Sequence, residues 1–223
     1  MKIKHIREIG NYMNVNRLET DEKIKSFLIK ADPKLKKLID YIGKIKITLS
    51  ENYFESLVRT IIGQQLSIKA KNAIIKRFIN YMNNYIAPEK IINTDDRILR
   101  EIGISNAKIS YIKNLSVAIV NNCLNFNEIT NLSDGDVINK LTKIKGIGTW
   151  TAEMFLIFSL GRTDVFSLND VGLQRSINWL YNYNEKITKK DLLVISSKWK
   201  PYRTYAALYL WEAINREIII KDI

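Results

Sequence analysis

Residues 141–152 read Leu-Thr-Lys-Ile-Lys-Gly-Ile-Gly-Thr-Trp-Thr-Ala and form the most informative stretch of the chain. Apolar residues at helical spacing flank it, so the stretch predicts two helices joined by a very short Gly-Ile-Gly turn. Glycine lets a backbone take positive φ and approach a partner closely. The second helix offers unpaired N–H groups at its start, beside Lys143 and Lys145, which favours a bound phosphate. A plain corner between two helices would have the same pattern, and the missing third glycine excludes a dinucleotide-binding loop.

The composition of the whole chain favours an all-α fold. The 223 residues include 9 glycines and 3 prolines, too few for the frequent turns of an all-β sandwich. Apolar residues make up 46%, which is enough for a buried core. The net charge of +12 is typical of a folded protein that meets a polyanion, with nucleic acid as the first candidate. Charge alone would also fit a protein that is simply basic.

Helix start and stop signals recur along the chain. Asn52 with Glu55 has capping-box spacing and predicts a helix start, and residues 63–67 interrupt that helix before the next one. The motif of two helices around the glycine turn is predicted at 134–160. Pro201 predicts the first turn of the last helix. No segment of strict two-residue alternation competes with these helices. Further helix starts are predicted near Thr94, Ser105, Ser133, Thr149, Val171 and Thr188.

The rarest residues exclude several kinds of site. Cys123 is the one cysteine, which excludes an intramolecular disulfide, a cysteine-based zinc site and an iron–sulfur cluster within one chain. His5 is the one histidine, so neither a histidine-based metal site nor a Ser-His-Asp triad is expected. No window approaches about 18 uncharged apolar residues, and residues 1–10 lack the apolar core of a signal peptide. We therefore expect a cytoplasmic protein with no membrane contact.

A second informative segment, residues 166–173, reads Phe-Ser-Leu-Asn-Asp-Val-Gly-Leu. Its Asp170 lies 22 residues after Gly148 and immediately before an apolar helical pattern. Taken locally, Asp170 is an ordinary helix N-cap, a position that aspartate often fills. An N-cap role does not exclude a role in chemistry.

Taken together, these segments resemble the helix-hairpin-helix DNA glycosylase superfamily. The pattern Ile-x-Gly-Ile-Gly-x-x-Thr-Ala is followed by Val-Phe-x-x-x-Asp. Three further segments look like the alkylation-repair branch, the 3-methyladenine DNA glycosylase II family, and they stand at residues 31–35, 61–67 and 199–206. Bacterial members of that branch carry an additional N-terminal α/β domain, for which this chain has no room. The chain therefore resembles a minimal catalytic core.

The resemblance implies a catalytic role for Asp170. In this superfamily the aspartate after the hairpin stabilises positive charge on the sugar as the N-glycosidic bond breaks, and it orients or deprotonates the attacking water. Bifunctional relatives carry a lysine two residues after the second hairpin glycine, where this chain has Trp150. We therefore expect a monofunctional enzyme that leaves an abasic site. Asn169 stands where some relatives have a second acid.

The resemblance also implies a base pocket and a wedge. Trp150, Tyr202 and Met154 match positions of the family's base pocket, and an electron-rich aromatic wall suits cationic alkylated bases. Gln65 matches the residue that fills the stack after a base has been flipped out. Core packing is the alternative for the aromatic residues, and a surface loop is the alternative for Gln65. The other tryptophans are assigned to the core: Trp179, Trp199 and Trp211.

The hairpin is expected to bind DNA phosphate and a cation. Family members often hold a sodium or potassium ion with backbone carbonyls, and Thr142, Ile144 and Ile147 match those positions. No cofactor is otherwise required. Arg203 is either structural or a DNA contact. Phosphate contacts are expected from Lys143, Lys145, Gly146, Gly148, Thr149 and Thr151.

The expected architecture is two helical lobes that flank a cleft. One lobe spans about 53–162 with the hairpin, and the other combines 1–52 with 163–223. The expected protein is a monomer that binds damaged double-stranded DNA and excises alkylated purines, chiefly 3-methyladenine, with 7-methylguanine and 1,N6-ethenoadenine as further candidates. The alternatives are a glycosylase for a deaminated or oxidised base and a non-catalytic DNA-binding protein with the same hairpin.

Overall fold

The computed structural model describes residues 17–183 and 185–218. Within these residues the chain is mainly helical, as predicted, with one small antiparallel sheet. Its strands, β1 (Arg17–Glu19) and β2 (Lys46–Thr48), were not predicted, because three residues are too few for an alternating pattern. His5 lies outside the described residues. The helices are α1 (Glu22–Ala31), α2 (Lys34–Ile42), α3 (Tyr53–Gly63), α4 (Ile68–Tyr81), α5 (Pro88–Asn93), α6 (Asp96–Glu101), α7 (Asn106–Val120), α8 (Phe126–Ile129), α9 (Asp134–Thr142), α10 (Thr149–Phe158), α11 (Val171–Tyr181), α12 (Lys189–Ser197) and α13 (Arg203–Asn215).

Most helices begin at the predicted caps. The Asn52 side chain accepts a hydrogen bond from the Glu55 N–H at the start of α3, and Thr188 does the same for Asp191 at α12. At α12 the Asp191 carboxylate in turn accepts a hydrogen bond from the Thr188 N–H, which completes a capping box. At α3 the Glu55 carboxylate instead pairs with Arg59, so only half of the predicted box forms.

The last helix begins later than predicted. Helix α13 starts at Arg203, with Tyr202 as its N-cap, and Pro201 lies in the preceding turn. The Thr204 N–H donates to the Thr163 carbonyl at 3.0 Å, so the segment after α10 holds the first turn in place. Tertiary contacts, and not the proline, set this helix start.

The helices pack in two groups. In the hairpin group, α3 packs against α4, α7 and α10, while α10 pairs with α9 and α7 pairs with α5 and α6. In the second group, α13 packs against α2 and α11, and α2 also packs against α1. None of the helices in the described part of the chain has the length and apolar character needed to span a bilayer.

A buried carboxylate joins distant segments of the second group. Asp32, which ends α1, is 3% exposed and accepts hydrogen bonds from the Tyr181 hydroxyl and from the Trp199 indole N–H. A buried carboxylate is tolerated only where hydrogen bonds replace its hydration. These bonds tie the ends of α1, α11 and α12 together.

The segment between α10 and α11 carries Asp170 and is anchored by Arg203. The Arg203 guanidinium forms a bidentate contact with the Asp164 carboxylate, with Nε 2.7 Å from Oδ1 and Nη2 3.0 Å from Oδ2. Its Nη2 also donates to the Asp164 carbonyl at 2.7 Å. Three of the five guanidinium N–H donors are therefore used on Asp164. Of the two roles expected for Arg203, the contacts favour the structural one.

Candidate active site and DNA-binding face

A cavity of about 740 Å³ lies between the two helix groups. The hairpin group contributes residues 64–65, Tyr111 and residues from 146 to 151, and the segment 169–172 closes the other side. Four stretches far apart in sequence thus meet at one cavity. They bring together the predicted catalytic, wedge and hairpin residues.

Asp170 is held at the wall of this cavity by three donors. It is the N-cap of α11, where its Oδ1 accepts from the Leu173 N–H at 2.8 Å. The same oxygen accepts from Trp211 Nε1 at 3.2 Å, and Oδ2 accepts from Trp150 Nε1 at 2.6 Å. The carboxyl is thereby oriented by a helix start and by indoles from α10 and α13. The N-cap role is confirmed, and the geometry is compatible with a reactive carboxylate as well.

Trp211 is a site residue that sequence reasoning missed. It was assigned to the core, and its ring does pack against the core, but its N–H reaches Asp170. Helix α13 is apolar on nearly all sides, so its pattern does not indicate which face meets α11. Trp199 is fully buried and Trp179 packs against the core, as predicted.

Two predicted pocket residues stand away from the cavity lining. Tyr202 packs edge-on against Phe27, with ring centroids 5.1 Å apart, and against Tyr205 at 6.1 Å. Met154 is 5% exposed and belongs to the core. Trp150 lines the cavity itself. The contact of Tyr202 and Met154 with a flipped base stays a prediction.

The two hairpin glycines have different surroundings. Gly146 has φ of 104°, and a Cβ at this position would stand 2.2 Å from the ring of Tyr111. Gly148, the N-cap of α10, has φ of −90° and nothing within 4 Å of its missing Cβ. Gly146 therefore shapes the turn, whereas Gly148 leaves the start of α10 open to an approaching ligand.

The predicted phosphate ligands surround this open helix start. Lys143, Lys145 and Thr149 are exposed, and no side chain caps the first N–H groups of α10. Thr151 is buried, and its hydroxyl accepts from the Gln64 amide at 3.0 Å, so its side chain is engaged within the protein. The phosphate contact of Thr151 stays a prediction.

The predicted cation site would consist of neutral backbone oxygens. Thr142 is the last residue of α9, where carbonyls lack helical partners, and the Ile144 carbonyl accepts from the Ile147 N–H at 3.0 Å. Hard oxygen donors without charge suit a monovalent cation better than a transition metal. Among the described residues no group of three or more His, Cys, Asp or Glu side chains could hold a metal ion.

A second carboxyl lies near Asp170. Glu153, on α10, is half-buried and accepts a hydrogen bond from the Ser167 hydroxyl. Burial raises the pKa of Glu153 above its ordinary value of 4.5, the Ser167 hydrogen bond opposes this shift, and the negative charge of Asp170 adds to it. Sequence reasoning did not single out this residue, because a glutamate within a helix carries no local signal.

The start of the second hairpin helix and the oriented carboxyl of Asp170 line one cavity, which is the arrangement expected of a helix-hairpin-helix DNA glycosylase. Residues 58–201 match the family described as the HhH-GPD superfamily of base excision DNA repair proteins, and the chain belongs to that superfamily. The prediction from the motifs is confirmed.

Relatives and solved structures agree with this assignment. The chain is 36% identical to DNA-3-methyladenine glycosylase 1 of Schizosaccharomyces pombe, over 87% of this chain and 91% of the relative. A crystal structure of a DNA-3-methyladenine glycosidase from Bacillus halodurans superposes with a TM-score of 0.75 at 42% identity, covering 88% of this chain and 91% of the other. The S. pombe enzyme in complex with abasic DNA superposes with a TM-score of 0.79 at 35% identity, covering 86% and 97%.

Proposed function

We propose that this DNA glycosylase is a monofunctional enzyme of the 3-methyladenine DNA glycosylase II type. Its substrates are alkylated purines in duplex DNA, chiefly 3-methyladenine, with 7-methylguanine and 1,N6-ethenoadenine as further candidates. The names of the relatives support the lesion class. The observation that carries the proposal is the Asp170 carboxyl, held by two indole N–H groups at the same cavity as the hairpin.

In the proposed reaction Asp170 acts on the sugar of a flipped nucleotide. As the N-glycosidic bond breaks, its electron pair leaves with the base and positive charge develops on the sugar. The fixed carboxylate stabilises that charge without reorganising, because its three donors already define its orientation. A water molecule then bonds to the sugar carbon and gives up a proton, for which Asp170 is the nearby base. The product is an abasic site.

Alkylated purines suit this site because they are good leaving groups when the N-glycosidic bond breaks. A cationic base needs little protonation to depart, so the reaction does not demand a strong general acid. Trp150 is half-buried at the cavity wall, and its ring would attract a cationic base. The absence of lyase activity is proposed from the same residue, since an indole cannot form the Schiff base that strand cleavage requires.

Duplex DNA is proposed to lie across the hairpin and the wedge turn. Lys143, Lys145 and the open start of α10 would bind a phosphate, while Gln65 would fill the vacated place in the stack. A sodium or potassium ion held by the carbonyls of residues 142, 144 and 147 would add positive charge beside the phosphate. No other cofactor is proposed. We propose that the enzyme is a monomer and that it acts on chromosomal DNA in the cytoplasm.

The test is product analysis on methylated duplex DNA with EDTA present. The proposal predicts release of free 3-methyladenine, with strand breaks only after alkali treatment. Release of uracil or an oxidised base in preference to methylated purines would overturn the lesion class. Strand breaks without alkali would overturn the monofunctional assignment, and tight binding without release of any base would overturn the enzymatic function.

A further inference from the structure

The wedge turn, residues 63–67 between α3 and α4, is tied directly to the hairpin turn. The side-chain amide of Gln64 donates to the Gly146 carbonyl at 3.1 Å and to the Thr151 hydroxyl at 3.0 Å. Both hydrogens of this amide are therefore used, one on the turn of the hairpin and one on the first turn of α10. The residue next to the predicted wedge thus spans the gap to the predicted phosphate site.

The backbone of the wedge turn is held by a partly buried lysine amine from α7. Lys108 Nζ donates to the Ile62 carbonyl at 2.8 Å and to the Gln64 carbonyl at 2.7 Å. The Gln64 carbonyl belongs to the peptide bond that leads into Gln65. Partial burial lowers the pKa of Lys108, which lies against the last carbonyls of α3.

Gln65 itself has an unusual backbone conformation. Its φ is 53°, in the left-handed region, which disfavours side chains other than glycine by about 1–2 kcal/mol. Such a conformation persists only where the surroundings impose it. Two contacts of the preceding residue supply that constraint, the bond from the Gln64 amide to the hairpin and the bond from Lys108 to the Gln64 carbonyl, while the Gln65 side chain remains exposed.

We propose that Gln64 is a positioning residue that joins the wedge turn to the hairpin, so that phosphate binding by the hairpin and insertion of Gln65 occur as one rigid unit. This inference rests on the proposed function, because it assumes that the hairpin binds phosphate and that Gln65 enters the stack. Without the Gln64 amide the hairpin would still bind DNA, but the position of Gln65 relative to the cavity would no longer be fixed.

The test compares wild type with Gln64→Leu, which keeps a similar size and removes both donors. Unstacking is measured by the fluorescence of a duplex with 2-aminopurine at the target position, and chemistry by single-turnover release of 3-methyladenine. We expect both to fall about tenfold, because small misplacements of positioned groups have effects of this order or larger, whereas affinity for undamaged duplex changes less than about twofold. The thermal midpoint of each variant reports whether it folds.

A double-mutant cycle with Gln65→Ala separates positioning from general damage. If Gln64 acts through Gln65, then Gln64→Leu should lower the fluorescence gain and the rate less than about twofold in the Gln65→Ala background. Equal losses in both backgrounds would overturn the inference, as would a folded Gln64→Leu protein with wild-type unstacking.

A matched lysine pair tests the other support of the turn. Lys108→Met should lower the 2-aminopurine fluorescence gain, as Gln64→Leu does. Lys113→Met is the control, because Lys113 lies on the same helix and donates to the Thr94 carbonyl at 2.9 Å, outside the cavity lining. If wild type unstacks 2-aminopurine but releases no base, the proposed function is wrong. The unstacking signal of Gln64→Leu, compared with that of wild type, still tests this inference. If wild type does not unstack the target, the inference fails as well.

Discussion

The carboxyl of Asp170 depends on donors from three helices, and this sets what single substitutions should do. Its Oδ1 receives a backbone N–H and the Trp211 indole, while its Oδ2 receives the Trp150 indole. Hydrogen bonds to a charged group contribute more than neutral ones, about 1.5–3 kcal/mol each. Loss of either indole should therefore leave the carboxylate less well oriented.

Trp211→Phe removes one donor and keeps an aromatic ring. We expect the single-turnover rate of base release to fall about ten- to a hundredfold, in line with the loss of one charged hydrogen bond. Trp179→Phe, on the far part of α11 and outside the cavity lining, is the matched control. Equal rates for Trp211→Phe and wild type would mean that the Trp211 bond does not support catalysis.

At this scale the sequence predicted Asp170 and Trp150 at the site through their motifs. It did not predict Trp211 or Glu153, because neither stands in a local pattern that separates a site residue from a core or helix residue. Their proximity to Asp170 arises from the packing of α10, α11 and α13, which no single segment encodes.

At the scale of elements, substitutions of the two hairpin glycines should affect two different quantities, stability at Gly146 and DNA binding at Gly148. Gly146→Ala should lower the free energy of unfolding by about 2 kcal/mol or more, since its positive φ and the Tyr111 ring both oppose a methyl group. Gly148→Ala should leave stability nearly unchanged but weaken binding to duplex DNA, because its methyl would project where a phosphate would approach. Denaturant unfolding and a binding titration measure the two effects. An unstable Gly148→Ala protein or a stable Gly146→Ala protein would contradict the assignment of roles.

Helix α10 should give a pH-dependent signal through Glu153, which accepts a hydrogen bond from Ser167 in the segment that links α10 to α11. Because the pKa of Glu153 is raised in the folded state, its ionisation destabilises the fold above the ordinary value of 4.5 and has no effect once both states are protonated. Glu153→Gln should therefore raise the thermal midpoint by about 2 °C near pH 8 and by progressively less as the pH approaches 4.

A contrasting glutamate checks the sign of this effect. The hydrogen bond from Lys140 lowers the pKa of Glu128, an exposed residue of α8, so its ionisation is favoured in the folded state. Glu128→Gln should lower the midpoint slightly at neutral pH, and the difference should vanish at acid pH. A Glu153→Gln protein that behaves like Glu128→Gln would contradict the proposed environment of Glu153.

Helices with clear caps and several turns could be predicted from the sequence, as α3, α9 and α12 illustrate. The elements β1, β2, α5 and α8 were not predicted, because they have between three and six residues, too few for a period to emerge, whereas the equally short α6 was predicted from its start signal near Thr94. No start was predicted for α1 and α2, which have ten and nine residues. The start of α13 was placed at Pro201 from a local rule, and a tertiary hydrogen bond to residue 163 shifts it to Arg203.

For the whole molecule, the net charge of +12 should make DNA binding strongly dependent on salt. Lys143→Met and Lys145→Met should each reduce the slope of log affinity against log salt concentration by about one, if each lysine contacts one phosphate. Lys189→Met, on α12, is a charge-matched control, because that helix contributes no residue to the cavity lining. Equal slopes for all three variants would mean that the hairpin is not the phosphate-binding element.

The most direct test of the central claim is the single-turnover release of 3-methyladenine by wild type and by Asp170→Asn. Asparagine can keep the N-cap bond through its amide oxygen, but its NH2 group cannot accept from an indole, so the variant should lose one indole bond and some thermal stability while it keeps its affinity for duplex DNA. Its rate should fall at least about a hundredfold, because a neutral amide cannot stabilise the developing positive charge. A folded Asp170→Asn protein that releases the base at the wild-type rate would contradict the account and leave Asp170 as a helix cap alone.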